Sequence, residues 1–171
     1  PTKDGHLQAV RLRGKYGFID ITGRVVIPIK FDNIEGGAPD RGYANVWSND
    51  ALMSICINKK WGYINKNGKV VVPLIYDKVD PTVDDFYSFA RVWKNGLVGA
   101  IDYNGEFLLP MQYQEIERIY GENLFFVKKD DKYGFINSDY QLTIPYKYDK
   151  TSGFTYDNEL CAVEINGKSP A

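Results

Sequence analysis

The chain has 171 residues, of which 44% are hydrophobic and 25% charged, a composition typical of a folded protein and unlike that of disordered or fibrous chains. Its 21 Lys and Arg residues balance 22 Asp and Glu residues, so the formal net charge of -1 provides no overall field that would favour nucleic acid or an anionic membrane. No apolar run reaches the roughly 20 residues that span a bilayer, and with one histidine and two cysteines we expect no metal site, no cofactor and no disulfide framework.

One sequence pattern occurs four times along the chain. Each copy begins with an aromatic or large apolar residue followed by glycine, and it has isoleucine two residues after that glycine, proline eleven residues after it and an aromatic residue three residues after the proline. The initial pairs are Tyr16-Gly17, Trp61-Gly62, Val98-Gly99 and Tyr133-Gly134, and the prolines are Pro28, Pro73, Pro110 and Pro145. Fixed offsets in four copies identify a tandem repeat, so we expect these positions to be structural.

Each copy predicts four short strands. In the first copy they are residues 16–20, 24–28, 31–34 and 43–46, which are rich in aromatic and β-branched residues. The proline is expected to end the second strand, since it has no backbone N–H to donate. No segment has ten or more residues of helical period, so the predicted fold class is all-β.

A turn with the pattern Asp/Asn-x-x-Gly joins the first two strands in the first three copies. Asp20-x-x-Gly23 suits a hairpin in which the Asp side chain caps a type I turn and the glycine adopts the left-handed conformation. In the fourth copy Tyr140 stands at the glycine position, where a side chain costs about 1 kcal/mol. That copy is therefore expected to use another turn or to carry strain.

We predict one repeat domain over residues 1–171, built as a tandem array of four antiparallel hairpin or meander units. Residues 1–13 match the last strand of a preceding unit, and the units cover residues 14–58, 59–95, 96–130 and 131–171, the last of them incomplete. A ribbon of about 35 residues cannot bury both faces, so neighbouring units must stack and enclose the recurring aromatic, isoleucine and proline positions. We expect an open, twisted, solenoid-like stack, and a small closed ring like a β-propeller is the alternative.

The second copy carries a likeness to a known family. Its residues Lys60-Trp-Gly-Tyr-Ile-Asn65, followed by Gly68-Lys-Val-Val-Val-Pro73 and Tyr76-Asp77, resemble the bacterial WG-repeat family. The likeness extends over residues 7–166, although the third copy has Val98 and Ala100 where aromatic residues are usual. The resemblance implies a β-rich tandem-repeat protein that mediates interactions, and it brings no catalytic residues with it.

The loops that follow the third strands differ from the rest of each copy. Residues 35–42, 80–89, 117–123 and 151–159 vary in length and hold nine acids against two bases, a net charge of -7. The junctions before the aromatic-glycine pairs hold ten bases against two acids, so the units are expected to have an acidic and a basic edge. The alternative is that both are ordinary solvated faces.

Variable loops on a repeat scaffold are typical of a binding edge. The candidate binding residues are Trp47, Asp84, Asp85, Phe86, Tyr87, Tyr120, Phe154 and Tyr156. Aromatic rings beside carboxylates suit a protein or peptide partner, including a basic one, so the predicted function is a non-enzymatic binding scaffold. The alternative is a glycan or cell-wall binding module with Tyr and Trp platforms, and less readily a glycoside hydrolase. Exposed sheet edges leave pairing between chains open.

Three further features have competing interpretations. The connection from Val46 to Trp61 is nine residues longer than its equivalents, so residues 47–53 form either a docking insert or an extra edge strand completed by residues 53–57. The thiols of Cys56 and Cys161 lie in apolar surroundings and are expected to be buried and inert. Asp84-Asp85 could act as a glycosidase pair, whereas the acids that recur between copies are expected to cap backbone N–H groups.

Overall fold

The computed structural model of the chain describes residues 7–35, 52–83, 89–119, 124–154 and 161–167. These residues form eighteen β-strands and no helix, which confirms the all-β class. Within the described ranges there is accordingly no helix with the length and apolar character needed to cross a membrane.

The strands are numbered β1 to β18 in chain order. Seventeen of them belong to four kinds, which follow one another in the same order along the chain. Glycine strands hold the aromatic-glycine pair: β2 (Lys15–Ile19), β6 (Lys60–Ile64), β11 (Leu97–Ile101) and β15 (Lys132–Asn137). Proline strands come next: β3 (Val25–Phe31), β7 (Val70–Tyr76), β12 (Phe107–Tyr113) and β16 (Leu142–Tyr148). Third strands are β4 (Asn33–Glu35), β8 (Lys78–Val79), β13 (Glu115–Ile119) and β17 (Lys150–Phe154). Fourth strands are β1 (Gln8–Leu12), β5 (Leu52–Ile57), β10 (Ala90–Lys94), β14 (Leu124–Lys129) and β18 (Cys161–Glu164). The remaining strand, β9 (Thr82–Val83), pairs with the start of β5.

Five small sheets follow one another along the chain, which confirms the tandem arrangement. Their strand orders are β1-β2-β3, β4-β5-β6-β7, β8-β10-β11-β12, β13-β14-β15-β16 and β17-β18. The three larger sheets thus share one order, namely third, fourth, glycine and proline strand. The chain passes to the next sheet just after the aromatic residue that ends each proline strand, as at Phe31-Asp32. A sheet therefore takes its first two strands from one sequence copy and its last two from the next.

The recurring proline lies in the middle of its strand. Strand β3 continues through Pro28 to its last residue, and Tyr16 pairs with Phe31 whereas Phe18 pairs with Ile27. Between these two pairs a single residue of β2 faces three residues of β3, so the proline sits in a bulge on an edge strand, where its missing N–H leaves no ladder bond unmade. The predictions that proline ends the strand and is buried are both wrong. The exposed prolines are Pro28, Pro73, Pro110 and Pro145.

The fourth strand of the first copy is β5, an inner strand of the second sheet. It pairs with β4 on one side and β6 on the other, and five of its six residues are buried. The predicted fourth strand at residues 43–46 lies outside the described residues, and the prediction that residues 53–57 complete an extra edge strand is wrong. In this copy β5 is the strand that pairs with the next glycine strand. The nine extra residues therefore lie before the fourth strand and not after it.

The turn between the glycine and proline strands is the Asx-capped turn predicted from the sequence. The Asp20 carboxylate accepts the N–H groups of Thr22 and Arg24 at 2.9 and 3.1 Å, and Gly23 is left-handed with φ 84°. In the other three copies the side-chain oxygens of Asn65, Asp102 and Asn137 accept the equivalent backbone N–H groups. In the fourth copy Tyr140 itself adopts φ 60°, so strain and not another turn is the outcome there.

The first two sheets share one hydrophobic core. Its members are Leu7, Ala9, Tyr16, Phe18, Ile27, Phe31, Ile34, Met53, Ile55 and Ile64. Five of them, Tyr16, Phe18, Ile27, Phe31 and Ile64, belong to glycine or proline strands, so recurring aromatic and isoleucine positions serve as scaffold, as predicted. Burial of each large side chain contributes roughly 1.5–3 kcal/mol.

The chain divides into two compact units, residues 1–95 with 101–107 and residues 96–100 with 108–171. The core just described belongs to the first unit. In the second unit, β13, β14 and β15 place Ile116 opposite Val127 and Phe125 opposite Ile136, and all four side chains are buried.

Candidate functional site

The glycine of the aromatic-glycine pair allows two strands to approach closely. A Cβ on Gly62 would lie 2.5 Å from the carbonyl oxygen of Val72, and one on Gly17 would lie 2.6 Å from the Cα of Ile29. Both neighbours are backbone atoms, so a larger residue fits only if the proline strand moves. None of these glycines has a positive φ, so space and not backbone conformation requires them.

A two-residue turn follows each fourth strand, and the first four of these turns lead into the next glycine strand. Both turn residues have positive φ, 49° and 81° at Arg13-Gly14 and 54° and 78° at Asn95-Gly96, as in a type I′ hairpin. The same turn occurs at Asn58-Lys59, Asp130-Asp131 and Asn166-Gly167. These turns were not predicted, although the dipeptide Asn-Gly is the strongest short-range hairpin signal in a sequence.

In three of the four copies an acid follows the proline strand and connects two hairpins, as Asp32 shows. The Asp32 carboxylate accepts a hydrogen bond from the ammonium group of Lys15, at the start of the preceding glycine strand. Its other oxygen accepts the N–H of Asn58, in the next two-residue turn, at 2.7 Å. The N–H of Asp32 donates to the carbonyl of Cys56 at 2.8 Å. We refer to the lysine, the acid and the turn N–H as the clasp.

The clasp recurs in the second and fourth copies. Asp77 accepts from Lys60 and from the N–H of Asn95 at 2.8 Å. Asp149 accepts from Lys132 and from the N–H of Asn166 at 2.6 Å. The expectation that recurring acids cap backbone N–H groups is therefore confirmed for these residues.

The third copy replaces both side chains of the clasp. Leu97 stands at the lysine position and Gln114 at the acid position. The Gln114 Oε1 accepts the N–H of Asp131 at 2.8 Å, and its Nε2 donates to the Asp131 carboxylate at 3.0 Å. An amide suits this turn because it donates as well as accepts, whereas a second carboxylate would repel Asp131. The lysine and the acid of the clasp are thus replaced together in the third copy.

Hydrogen bonding in the clasp lowers the pKa of its carboxyl groups. For Asp32, Asp77 and Asp149 the main cause is the hydrogen bond from the lysine side chain, followed by the hydrogen bond from the turn N–H. Both donors favour the ionised form of the carboxyl group. The pKa of Asp20 is lowered mainly by its hydrogen bond with the Thr22 hydroxyl. These four acids are thus charged at neutral pH and bonded to their own chain.

One family's sequence model matches the chain four times. It describes the WG containing repeat, and it covers residues 16–46, 61–97, 99–133 and 133–168. The chain belongs to the WG containing repeat family. A search of curated proteins finds no match to it.

The variable loops of the WG repeats all connect the same two strands. Each loop leaves the end of a third strand and returns at the start of the fourth strand that pairs with it. The proposed binding residues Trp47, Asp84, Asp85, Phe86, Tyr87, Tyr120 and Tyr156 lie in these loops, outside the described residues. Phe154 ends β17, and its side chain also lies outside the description. These residues stay predictions.

An ion pair closes the base of the second WG loop. The Asp80 carboxylate accepts the backbone N–H of Arg91 at 2.9 Å and its guanidinium Nε at 3.0 Å, and both side chains are largely buried. The hydroxyl of buried Tyr63 donates to the Asp80 carbonyl at 2.7 Å. Asp80 is one of the nine acids counted in the loops, so part of that charge holds the loop base together.

The basic edge of the WG repeats is partly neutralised. Among the ten junction bases, Lys15, Lys60 and Lys132 form the clasp ion pairs, and the ammonium group of Lys128 lies 3.4 Å from the Asp131 carboxylate. The guanidinium of Arg11 lies 5.4 Å from the centre of the Tyr16 ring. The junctions therefore present less free positive charge than the sequence predicted.

The described part of the WG chain brings few reactive groups together. It contains no group of three His, Cys, Asp or Glu side chains that could hold a metal ion. Cys56 is buried, as expected, and burial raises the pKa of its thiol, which disfavours the reactive thiolate. The side chain of Cys161 and the Asp84-Asp85 pair lie outside the description.

Proposed function

We propose that this WG-repeat chain is a non-enzymatic scaffold that binds a protein or peptide through its variable loops. The observation that carries the proposal is the division between recurring and variable residues. Buried recurring aromatic residues such as Phe18 and Phe135 build the core, and recurring acids such as Asp20 and Asp77 are bonded to the backbone. Specific recognition is therefore assigned to the segments that differ between repeats.

The variable loops differ in length, and an ion pair holds the base of the second loop in place. Both properties are expected of a binding edge. Sixteen residues separate Glu35 from Leu52, whereas four separate Ile119 from Leu124. The Asp80–Arg91 ion pair fixes the base of the second loop, which carries Asp84, Asp85, Phe86 and Tyr87. The net negative charge of the loops favours a basic peptide segment as the partner.

A glycan partner receives less support. Sugar binding requires exposed aromatic faces, and at the recurring aromatic positions Tyr16, Tyr63, Tyr76 and Tyr113 are buried. Trp61, Tyr133 and Tyr148 are partly buried, so glycan recognition would have to depend on these three side chains or on the variable loops.

The test compares a loop variant with a matched surface variant. The loop variant carries D84N, D85N, F86A and Y87A, and the control carries E106Q and D139N, two exposed acids in hairpin turns. Both are applied to an array of basic peptides at low and at high salt. We expect the control to bind like the parent chain, the loop variant to lose affinity about tenfold, and high salt to weaken binding.

Three results would contradict the proposal. Equal binding by the loop variant would exclude the second loop as the docking site. A shift of tryptophan fluorescence with cell-wall oligosaccharides that persists at high salt would favour the glycan alternative. Turnover of a glycoside that is lost in D84N would show an enzyme.

A further inference from the structure

We propose that Asn95 and Asn166 are sites of spontaneous deamidation, a modification that alters the main chain or the charge of a clasp turn. The chain has four Asn-Gly dipeptides, in which the lack of a side chain on glycine leaves the backbone nitrogen open to reaction. They are Asn67-Gly68, Asn95-Gly96, Asn104-Gly105 and Asn166-Gly167. The structure separates these four dipeptides into two pairs. The inference does not involve the variable loops and stands independently of the function proposed above.

The reaction depends on the N–H of the glycine. Its nitrogen attacks the side-chain Cγ of the asparagine, a new C–N bond forms, and the Cγ–Nδ2 bond breaks as ammonia leaves with the proton of that N–H. Water then opens the cyclic imide at either of its two carbonyl groups, which gives aspartate or isoaspartate. A hydrogen bond that holds the glycine N–H opposes the attack, because the nitrogen must first leave its partner.

In the Asx-capped turns the N–H of the glycine is held in a hydrogen bond. The bonds run from Gly68 to the carbonyl of Asn65 at 2.8 Å and from Gly105 to the carbonyl of Asp102 at 3.1 Å. The space beside these glycines is also occupied. A Cβ on Gly105 would lie 2.9 Å from the side chain of Val72, and one on Gly68 would lie 3.3 Å from that of Ile27. The asparagines of these two turns are therefore expected to be protected.

The glycines of the two clasp turns differ in both respects. Within the described ranges no group accepts a hydrogen bond from the N–H of Gly96 or Gly167. This follows from the turn type, because the residues that flank a two-residue turn bond to each other and leave the inner N–H groups out of the ladder. Apart from chain neighbours, no described atom lies within 4 Å of a Cβ built on either glycine, and both dipeptides are exposed.

Deamidation in these turns would act on the clasp. The N–H that the clasp acid accepts belongs to the asparagine itself, in Asn95 to Asp77 at 2.8 Å and in Asn166 to Asp149 at 2.6 Å. Aspartate at position 95 would place a second carboxylate beside Asp77, and both would be ionised at neutral pH. Isoaspartate would add a carbon atom to the main chain and move the N–H away from its acceptor.

The third copy shows the same conflict resolved in the sequence. Asp130 stands at the position of Asn95 in its two-residue turn, and Gln114 stands at the position of the clasp acid. The copy that has an aspartate in the turn therefore has an amide, and not a carboxylate, as its partner. A deamidated Asn95 would combine the acid of the second copy with the turn of the third.

The test incubates the folded full chain at mildly alkaline pH and follows each asparagine by peptide mapping with mass spectrometry. Asn67 and Asn104 are internal controls, since they occupy the same dipeptide in the same sample. We expect Asn95 and Asn166 to be converted about tenfold faster than the controls, because a hydrogen bond must break first at the control sites. In the chain unfolded by urea all four should react at similar rates. Equal rates in the folded chain, or faster conversion at either control, would overturn the proposal.

A pair of substitutions tests the effect on the clasp. N95D imitates one product of the reaction and should lower the urea midpoint of unfolding, whereas N67D, the same change in an Asx-capped turn, should leave it close to that of the parent chain. In the D77N background N95D should have little effect, because the opposing carboxylate is gone. N95D as stable as N67D, or a loss of stability that persists in the D77N background, would show that the modification does not act through the clasp.

Discussion

The carboxylate of Asp32 accepts a hydrogen bond at 2.7 Å from the N–H of Asn58, which lies 26 positions later in the chain. Asp32 directly follows the last strand of the first sheet, and Asn58 begins a turn in the second. One side chain therefore ties two consecutive sheets together at the place where the chain crosses between them. The same tie recurs at Asp77 and Asp149.

The clasp predicts how stability depends on pH. The pKa values of Asp32, Asp77 and Asp149 are lowered in the folded chain below the usual value of 3.8. A lowered pKa means that the ionised acid favours folding above the unfolded pKa, and this contribution is lost as the pH falls through the folded pKa. The triple variant D32N, D77N, D149N should be less stable at neutral pH and should lose less stability on acidification below about pH 4.

Urea unfolding of the parent and triple variant at neutral and acidic pH measures this difference. D139N, which changes an exposed turn acid, is the control and should follow the parent curve. Parallel pH profiles for the parent and the triple variant would show that the clasp does not couple folding to protonation.

The clasp residues of the third copy are expected to depend on one another, so that replacing one of them alone lowers stability and replacing them together does not. Q114D alone places a second carboxylate beside Asp131 and should destabilise the chain by about 0.5 kcal/mol. Adding D131G and L97K supplies the lysine and the turn glycine of the second copy, with Asp130 where that copy has Asn95, and should recover that loss. Urea midpoints of the single and combined variants give the coupling. Additive effects across the three positions would rule out a shared unit.

Alanine substitutions at Gly23 and Gly62 are expected to lower stability by different amounts, because backbone conformation requires the first glycine and lack of space requires the second. Gly23 is left-handed with open space around it, so G23A should cost about 1 kcal/mol. Gly62 is not left-handed, but a Cβ there would meet the Val72 carbonyl at 2.5 Å, so G62A should cost about 3 kcal/mol or more. Chemical denaturation of both variants makes the comparison. Equal costs would mean that the proline strand yields easily.

Tyr140 predicts a reversal of the usual preference for alanine over glycine. Its φ of 60° disfavours any side chain, and its ring stacks on Phe125 with centroids 6.0 Å apart. Both Y140A and Y140G lose the stacking, but only Y140G relieves the strain. Y140G should therefore be more stable than Y140A by about 1 kcal/mol in thermal or urea unfolding. The opposite order would show that the turn relaxes when the ring is removed.

The features that sequence predicted well are local and repeated. The Asx-capped turn at Asp20 follows from four residues whose hydrogen bonds lie within the turn itself. The burial of Phe31 and Ile64 follows from their recurrence at fixed offsets in the repeat.

The features that sequence missed depend on pairing between distant segments. Pro28 lies inside a strand because a bulge opposite Gly17 takes up the extra residues, and nothing local to the proline signals that bulge. The pattern of residues 43–46 resembles that of residues 89–92 and predicts the fourth strand of the first copy there. The strand beside the glycine strand is instead set by the two-residue turn at Asn58-Lys59, which pairs residues 53–57 with it. The candidate binding residues lie in loops where no repeat constrains a prediction.

Because each of the three larger sheets takes third and fourth strands from one sequence copy and glycine and proline strands from the next, the boundaries of copies and of these sheets do not coincide. Removing one whole copy would join the third and fourth strands of the copy before it to the glycine and proline strands of the copy after it, and the resulting sheet would have its full set of strands. The clasp would also re-form, since its lysine and acid come from one copy and its turn N–H from the junction with the following one. Such an architecture can lengthen or shorten by whole copies during evolution without leaving a hairpin unpaired.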